Sequence, residues 1–317
     1  MLNGKRLLLL VSERVGDVIF CTPAIHALAA HCPQSVIDVV APSQAAREVL
    51  SFNPAIRQIY AQPAASALRA IGAQYDVLLD FHNNRITKQL RARLAVAQQF
   101  VSPRIGTGHQ SETATQFVAT LLEMPIAPIA SGYALYPQPQ HYERVSQLLS
   151  DAGLDRQGQA IIGCHLGSNT TLRRGWKFWK PLAGPRSWPV ASFGQAMALL
   201  APQYPALRFV LTGTKAELPL AQQLRQFYPD AIVLVAKTSV LELAALMAHL
   251  RVFITGDTGP MHIACAMNRP LVGLFGPSAA HVTGPYPLQP HHVILQAVTI
   301  EKIRVDQVVA AVQQLLG

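Results

Sequence analysis

Apolar residues along this chain come in short runs, and between the runs they recur every three or four positions. Leu7–Val11 is an unbroken apolar run, and Val36–Val40, Ile56–Tyr60, Val77–Asp80 and Phe100–Val101 are further segments dominated by β-branched, aliphatic and aromatic side chains. Runs of this length bounded by polar residues predict buried strands. Between the first two, Thr22–Ala30 predicts a helix with Pro23 in its first turn. Strand–helix alternation of this kind predicts a parallel sheet covered by helices on both faces.

The texture changes at Pro125, Pro128, Pro137 and Pro139, after which a helix is predicted near His141–Ala152. Asp151–Gln159 is polar with two glycines and reads as a linker. The pattern then restarts, with strand candidates at Ala160–His165, Leu207–Leu211, Ile232–Val235, Val252–Thr255 and Leu271–Phe275. Helices are predicted over Ala191–Ala201, Leu218–Phe227, Val240–His249 and Met261–Met267. The last segment, Glu301–Leu316, has helical apolar spacing through Ile303, Val305, Val308, Val309, Val312, Leu315 and Leu316. The expectation is α/β: two doubly wound Rossmann-like domains, 1–155 and 156–317, facing a central cleft, with the last helix a candidate to pack back on the first domain. Such domains hold ligands at the carboxyl ends of their strands.

Composition supports this picture. A chain of 317 residues exceeds the usual size of one core, and 50% hydrophobic with 14% charged residues excludes disorder. Cys21, Cys32, Cys164 and Cys265 are scattered without a CxxC pair, which reads as free thiols in a reducing cytoplasm. Leu7–Val11 is cut off by Ser12, Glu13 and Arg14, too short for a signal peptide. No apolar run approaches the ~20 residues of a membrane-spanning helix, so a cytoplasmic protein with at most peripheral membrane contact is expected. A formal charge of +9 calls for an acidic partner: nucleic acid, anionic lipid or a phosphorylated substrate. Zinc-finger spacing, an RNP-like aromatic motif and a Gly-Lys-Ser phosphate loop are all missing, which argues against nucleic acid and P-loop chemistry.

Three motifs carry candidate chemistry. Arg14-Val15-Gly16-Asp17 follows the first strand. A carboxylate there suits a general base, and equally a helix cap. Thr255-Gly256-Asp257-Thr258-Gly259-Pro260-Met261-His262 lies between a strand and a helix. Its glycines and hydroxyls put backbone N–H groups at a helix N-terminus, where a diphosphate binds well. His262, one turn in, is either a core residue or a donor to phosphate or ribose. His165-Leu166-Gly167-Ser168-Asn169-Thr170 is small, polar and rich in donors.

In order and spacing these blocks resemble the ADP-heptose:lipopolysaccharide heptosyltransferases, glycosyltransferase family 9, of GT-B fold. The carriers are Gly16-Asp17 with Thr22-Pro23-Ala24, Gly167-Ser168-Asn169, Trp188-Pro189, Gly256-Asp257-Thr258-Gly259 through His262 to Asn268-Arg269-Pro270, and Phe275-Gly276-Pro277-Ser278. The resemblance implies an inverting transferase with an acceptor-binding first domain and a nucleotide-sugar-binding second. It implies Asp17 as base, and Ser168, Asn169, Glu217, Gly256, Asp257, Thr258, Gly259 and His262 as donor contacts. The donor would be ADP-heptose, a substrate rather than a cofactor. The acceptor would be the lipopolysaccharide inner core on lipid A, reached by transient contact with the inner face of the inner membrane. No metal is expected, because no Asp-x-Asp motif occurs. A monomer is the default.

The chain departs from the family where a lysine usually precedes Trp-Pro by two residues; Arg186 stands there, and Lys177 or Lys180 could meet the diphosphate instead. Leu172–Pro181 interleaves basic and aromatic residues, which suits a glycolipid or membrane interface or a locally packed loop. Arg85, Lys88, Arg91 and Arg93 form a second basic cluster, either a solvated face or, through Arg85, Lys88 and Arg91, an acceptor site. Competing readings are a GT-B transferase or epimerase for another nucleotide sugar, and a non-catalytic nucleotide- or glycolipid-binding module.

Overall fold

The computed structural model describes residues 2–61, 64–103, 108–123, 132–154, 158–167 and 186–317. Ser168, Asn169, Lys177 and Lys180, together with the Leu172–Pro181 stretch, lie outside the described residues. The chain forms two compact units, Met1–Tyr136 and Pro137–Gly317.

The first unit is a five-stranded sheet of β1 (Arg6–Leu10), β2 (Val36–Val40), β3 (Gln58–Tyr60), β4 (Val77–Asp80) and β5 (Gln98–Val101). The order is β3-β2-β1-β4-β5 and the described pairings are parallel. The β1 run is buried from Leu7 to Leu10, as a strand flanked on both sides and covered on both faces must be. Five helices accompany the sheet: α1 (Val15–His31), α2 (Gln44–Leu50), α3 (Leu68–Gly72), α4 (Arg85–Leu94) and α5 (Gln110–Leu122). Helix α1 starts seven residues earlier than its apolar spacing predicts, so Pro23 lies inside it rather than in its first turn. Proline has no N–H for the carbonyl four residues back. The Thr22 hydroxyl donates to that carbonyl of Ile19 instead, at 2.8 Å.

The second unit is a six-stranded sheet of β6 (Ala160–His165), β7 (Leu207–Thr212), β8 (Ile232–Val233), β9 (Leu250–Gly256), β10 (Leu271–Phe275) and β11 (His292–Gln296), in the order β11-β10-β9-β6-β7-β8. Its described pairings are likewise parallel. Its helices are α6 (Pro139–Asp151), α7 (Val190–Leu200), α8 (Leu218–Phe227), α9 (Val240–Met247), α10 (Gly259–Ala266), α11 (Ala280–Thr283) and α12 (Val305–Leu316). Strand β11 has no counterpart in the sequence reading. It is an edge strand, mostly half-buried, and its apolar content is only Val293-Ile294-Leu295.

One expectation about organisation, the domain boundary, differs from what is observed. The domain boundary was placed at 155, but the division falls after Tyr136. Helix α6 buries Val145, Leu148 and Leu149 and packs against α9, which places it in the second unit. Helix α12 joins the second unit's own core, with Val308, Val309, Ala311 and Val312 among the buried residues that surround Trp188, Phe193 and Met197. The four cysteines are unpaired, and Cys21, Cys32 and Cys164 are buried. No helix among the described residues is long and apolar enough to cross a membrane.

Each sheet reverses its direction of winding once. In the first, β1 runs to β2 and β3 on one side, and β4 and β5 lie on the other; in the second, β6–β8 and β9–β11 divide between β6 and β9. At such a reversal the two connections leave in opposite directions and open a crevice beyond the strand ends. The Asp17 motif follows β1, and the Asp257 motif follows β9. Both sequence motifs therefore emerge at the switch point of their own sheet.

Candidate active site

In the first unit, Arg14 is the N-cap of α1 and makes no side-chain cap. Asp17 is in the first helical turn, where the positive end of the helix dipole favours a carboxylate. It is half-buried. The hydroxyl of Ser12, 1% exposed, donates to Asp17 Oδ2 at 2.9 Å. Among the described residues no group bonds Oδ1. The alternative reading of Asp17 as a helix cap is not what the geometry gives: the cap position is three residues earlier.

Across the switch point, the residues after β4 close on the same spot. His82 Nε2 lies 3.1 Å from the Asp17 main-chain oxygen and 3.8 Å from Cys21 Sγ. A carbonyl can only accept, so Nε2 carries the hydrogen. Burial pushes the imidazole below its usual range, against the opposing pull of Asp17. Burial likewise pushes the Cys21 thiol well up. Both groups are neutral at pH 7. A pocket of about 60 Å³ opens here, lined by Asp17, His82, Ser102, Gln110, Thr113 and Phe20 among others.

Helix α4 begins at the same place. Asn84 caps it by accepting from the Ile86 and Thr87 amides at 2.8 and 2.9 Å. Of the basic residues on this helix, Arg85, Lys88 and Arg93 are exposed. Arg91 is not a free contact as the basic cluster suggests. Its guanidinium pairs with Asp80 at 2.9 Å, and Asp80 is fully buried at the end of β4. A buried carboxylate needs its counter-ion, and that need commits Arg91. The face predicted from Arg85, Lys88 and Arg91 is thus reduced to its first two members.

In the second unit, β6, β7 and β9 end in one polar row: His165 registers with Thr212 on one side and Thr255 on the other. His165 is buried, and burial pushes its pKa down to about 4. Thr255 and Thr258 hydroxyls meet at 3.1 Å. Thr258 is the N-cap of α10 but its side chain does not cap the helix. The N-terminal end of α10 has no side-chain cap at Thr258, which suits it to an anion.

Asp257 is 6% exposed and lies 3.3 Å from Arg186 through Oδ2. The contact is an ion pair by distance rather than an aligned hydrogen bond, since Oδ2 has no hydrogen-bond partner among the described residues. Arg186 keeps about half of its side chain in solvent. It stands where the resemblance places a diphosphate-binding cation, and it is free to turn to a second anion. Its main-chain oxygen lies 2.5 Å from where a Cβ on Gly256 would be, so Gly256 is glycine because the Arg186 backbone passes directly over it.

Glu217 is 2% exposed. Its Oε2 accepts from the Thr214 amide and hydroxyl at 2.6 and 2.7 Å. Burial raises its pKa and the two Thr214 bonds oppose the rise. The side chain lies against Gly167, where any Cβ would come within 2.2 Å of its Cγ and 2.3 Å of its Oε1. Glu217 thus braces the loop after β6 against the turn after β7. His262 is buried within α10. Trp188, which opens α7, is also buried; its indole N–H donates to the Ile303 carbonyl at 3.0 Å and its ring meets Phe193 edge-on.

Sequence reasoning passed over Ser12, His82 and Asn84. The available signal was the polar run His82-Asn83-Asn84 directly after a buried strand. Nothing in the sequence says that β4 lies beside β1, so the run could not be joined to Asp17.

Residues 186–308 match the family model for glycosyltransferase family 9 (heptosyltransferase). The chain is similar to the lipooligosaccharide heptosyltransferase 2 of Haemophilus influenzae, 32% identical over 38% of this chain and 36% of that protein, which is about a third of its length. It is 25% identical to lipopolysaccharide heptosyltransferase 3 of Escherichia coli over 82% of this chain and 80% of the relative. The solved structure of the E. coli ADP-heptose lipopolysaccharide heptosyltransferase II superposes with a TM-score of 0.79 at 18% identity, covering 98% of both chains. Its two doubly wound α/β units are the GT-B fold.

Proposed function

We propose that this chain, whose residues 186–308 match the model for glycosyltransferase family 9, moves a heptose from ADP-heptose to an inner-core lipopolysaccharide acceptor, with Asp17 as base. The observation that carries the reading is Asp17 itself. It is a carboxylate at a sheet switch point, held through one oxygen by Ser12, with no bond to the other oxygen among the described residues. General-base catalysis requires that arrangement. In the reaction the acceptor hydroxyl oxygen bonds to the anomeric carbon as its proton passes to Asp17 Oδ1. The bond from that carbon to the β-phosphate oxygen breaks on the opposite face, and ADP leaves with the electron pair.

The growing negative charge on ADP needs fixed positive partners. The N-terminus of α10 after Asp257-Thr258-Gly259, and the half-exposed Arg186 beside it, are suited to that role. Glu217, packed against Gly167, is with Ser168 and Asn169 a candidate donor contact. Arg85 and Lys88 are exposed cations suited to acceptor phosphates. Acceptors of this class are lipids, so the enzyme works at a membrane surface, on the cytoplasmic side where ADP-sugars are made, as a monomer.

The test is ADP release from ADP-heptose with Kdo-lipid A or heptosyl-Kdo-lipid A as acceptor, for wild type and Asp17→Asn. Acceptor-dependent release that falls by about 100-fold or more in the variant, with ADP affinity unchanged, is the expected result. Equal rates in the two proteins would remove Asp17 as base. Tight ADP binding without release would leave the donor site and remove this sugar and acceptor.

A further inference from the structure

The Ser12 hydroxyl oxygen is surrounded in a way that leaves its hydrogen little choice. The Arg14 amide approaches it at 3.4 Å and the Asn84 side-chain nitrogen at 3.5 Å. Asn84 cannot turn its amide round, because its oxygen already accepts two backbone amides at the start of α4. Both neighbours are donors, so the Ser12 lone pairs face N–H groups and its own hydrogen must go to a carboxylate. Two are within reach: Asp17 Oδ2 at 2.9 Å and Glu13 Oε2 at 3.3 Å. The shorter contact is with Asp17. Glu13 is partly exposed and also lies 4.0 Å from Arg14.

We propose that Ser12 is a positioning residue for Asp17, and that Asn84, by capping α4 and donating to Ser12, sets the direction of its hydroxyl. The start of α4, on the far side of the switch point, thereby orients the carboxylate on α1. The bond occupies Oδ2, so the acceptor proton is taken by Oδ1. This rests on the base assignment made above for Asp17. The other ionisable groups around Asp17 do not duplicate the contact. His82 donates to its main-chain oxygen, Cys21 points at the same oxygen, and Asp80 is committed to Arg91.

The test compares Ser12→Thr with Ser12→Val. The two side chains have nearly the same shape, so any crowding at this buried position is common to both, and only the hydroxyl differs. The expected result is a kcat ten- to a hundredfold lower in Val than in Thr, with KM for donor and acceptor within twofold. A general packing role would give equal kcat values in the two proteins, and that result overturns the proposal. A substrate-free readout runs beside it: the 13C carboxyl resonance of Asp17, identified by its loss in Asp17→Asn. It should be displaced in Val relative to Thr and wild type; identical shifts in Thr and Val would also overturn the proposal. If wild type is inactive with the chosen sugar pair while the resonance moves, the substrate reading fails and the clamp stands. Should neither substitution fold, Asn84→Ser keeps a capping oxygen while removing the amide nitrogen that reaches Ser12. It should lower kcat three- to tenfold and displace the same resonance, and an unchanged rate and resonance would count against the proposal.

Discussion

The tightest constraint in the second unit is at Gly256, and replacing it with alanine is the sharpest test of the donor-site geometry. An added Cβ would stand 2.5 Å from the Arg186 main-chain oxygen, whereas ordinary contact begins at 3.4 Å. The obstructing atom is backbone, so no rotamer change relieves it, and the Arg186 segment or the end of β9 must move by about 0.9 Å. Overpacking of this kind costs about 1–3 kcal/mol. The Arg186–Asp257 pair contributes little to that figure, because the guanidinium is half in solvent. For a unit of this size each kcal/mol lowers the melting temperature by about 2–4 °C. The displacement also has a binding consequence. It falls between the cation and the N-terminus of α10, two elements assigned above to one diphosphate. Calorimetric titration with ADP should show Kd raised about tenfold, equivalent to ~1.4 kcal/mol. A Gly256→Ala protein with an unaltered melting temperature and an ADP Kd within twofold of wild type would refute the reasoning. It would mean that the Arg186 backbone does not pass over Gly256.

Two further tests concern charges that the fold has buried. Arg91→Ala leaves the fully buried Asp80 without its cation, though two backbone amides, of His82 and Asn83, still donate to it; denaturant unfolding should register a loss of about 2–4 kcal/mol, while Arg85→Ala and Lys88→Ala stay within about 0.5 kcal/mol. If all three behave alike, the assignment of Arg91 to the core is wrong. His165 has its pKa pushed down to about 4 by burial, so the folded state binds fewer protons than the unfolded state below pH ~6.5. Stability attributable to it is present above pH ~6.5 and is lost as pH falls toward 4, by up to about 3 kcal/mol. His165→Gln should flatten the wild-type stability curve over that interval, and parallel curves for the two proteins would show that His165 is not held neutral.

How far the sequence could reveal this molecule depended on whether a feature is local. Strands such as Ala160–His165 and Leu271–Phe275 were legible to the residue, because a short apolar run in a doubly wound sheet is buried on both faces and has sharp polar ends. Helix α1 was legible only in its apolar middle. Its first turn, Val15-Gly16-Asp17-Val18, lies outside that apolar spacing, and its start is set by the turn after β1. Strand β11 was missed because an edge strand needs fewer apolar residues. The domain boundary was misplaced for a related reason. A proline-rich stretch and a polar stretch both look like linkers, and only the packing of Val145, Leu148 and Leu149 decides to which unit the helix between them belongs.

Within the site, the motifs were visible but the contacts were not. Asp17 and Asp257 could be found because glycine beside a carboxylate at a strand end is a local pattern. The protein contacts of Arg91 and Glu217 were not legible because each depends on a partner that the sequence does not place. Arg91 has the spacing of an exposed face with Arg85 and Lys88, yet Asp80, fully buried at the end of β4, draws it inward. Glu217 is polar and lies near the expected nucleoside, yet Gly167 gives it a space to fill beneath the loop. The same reasoning applies to Ser12 and Asn84, which are 72 residues apart and meet only because β4 pairs with β1. Parallel sheets join strands by crossovers, so neighbours at a switch point are distant in sequence as a matter of topology. The groups that hold a reactive carboxylate in such a crevice are therefore the ones least visible to a reading along the chain. A search for them should begin with polar residues immediately after buried strands and ask which strands become neighbours.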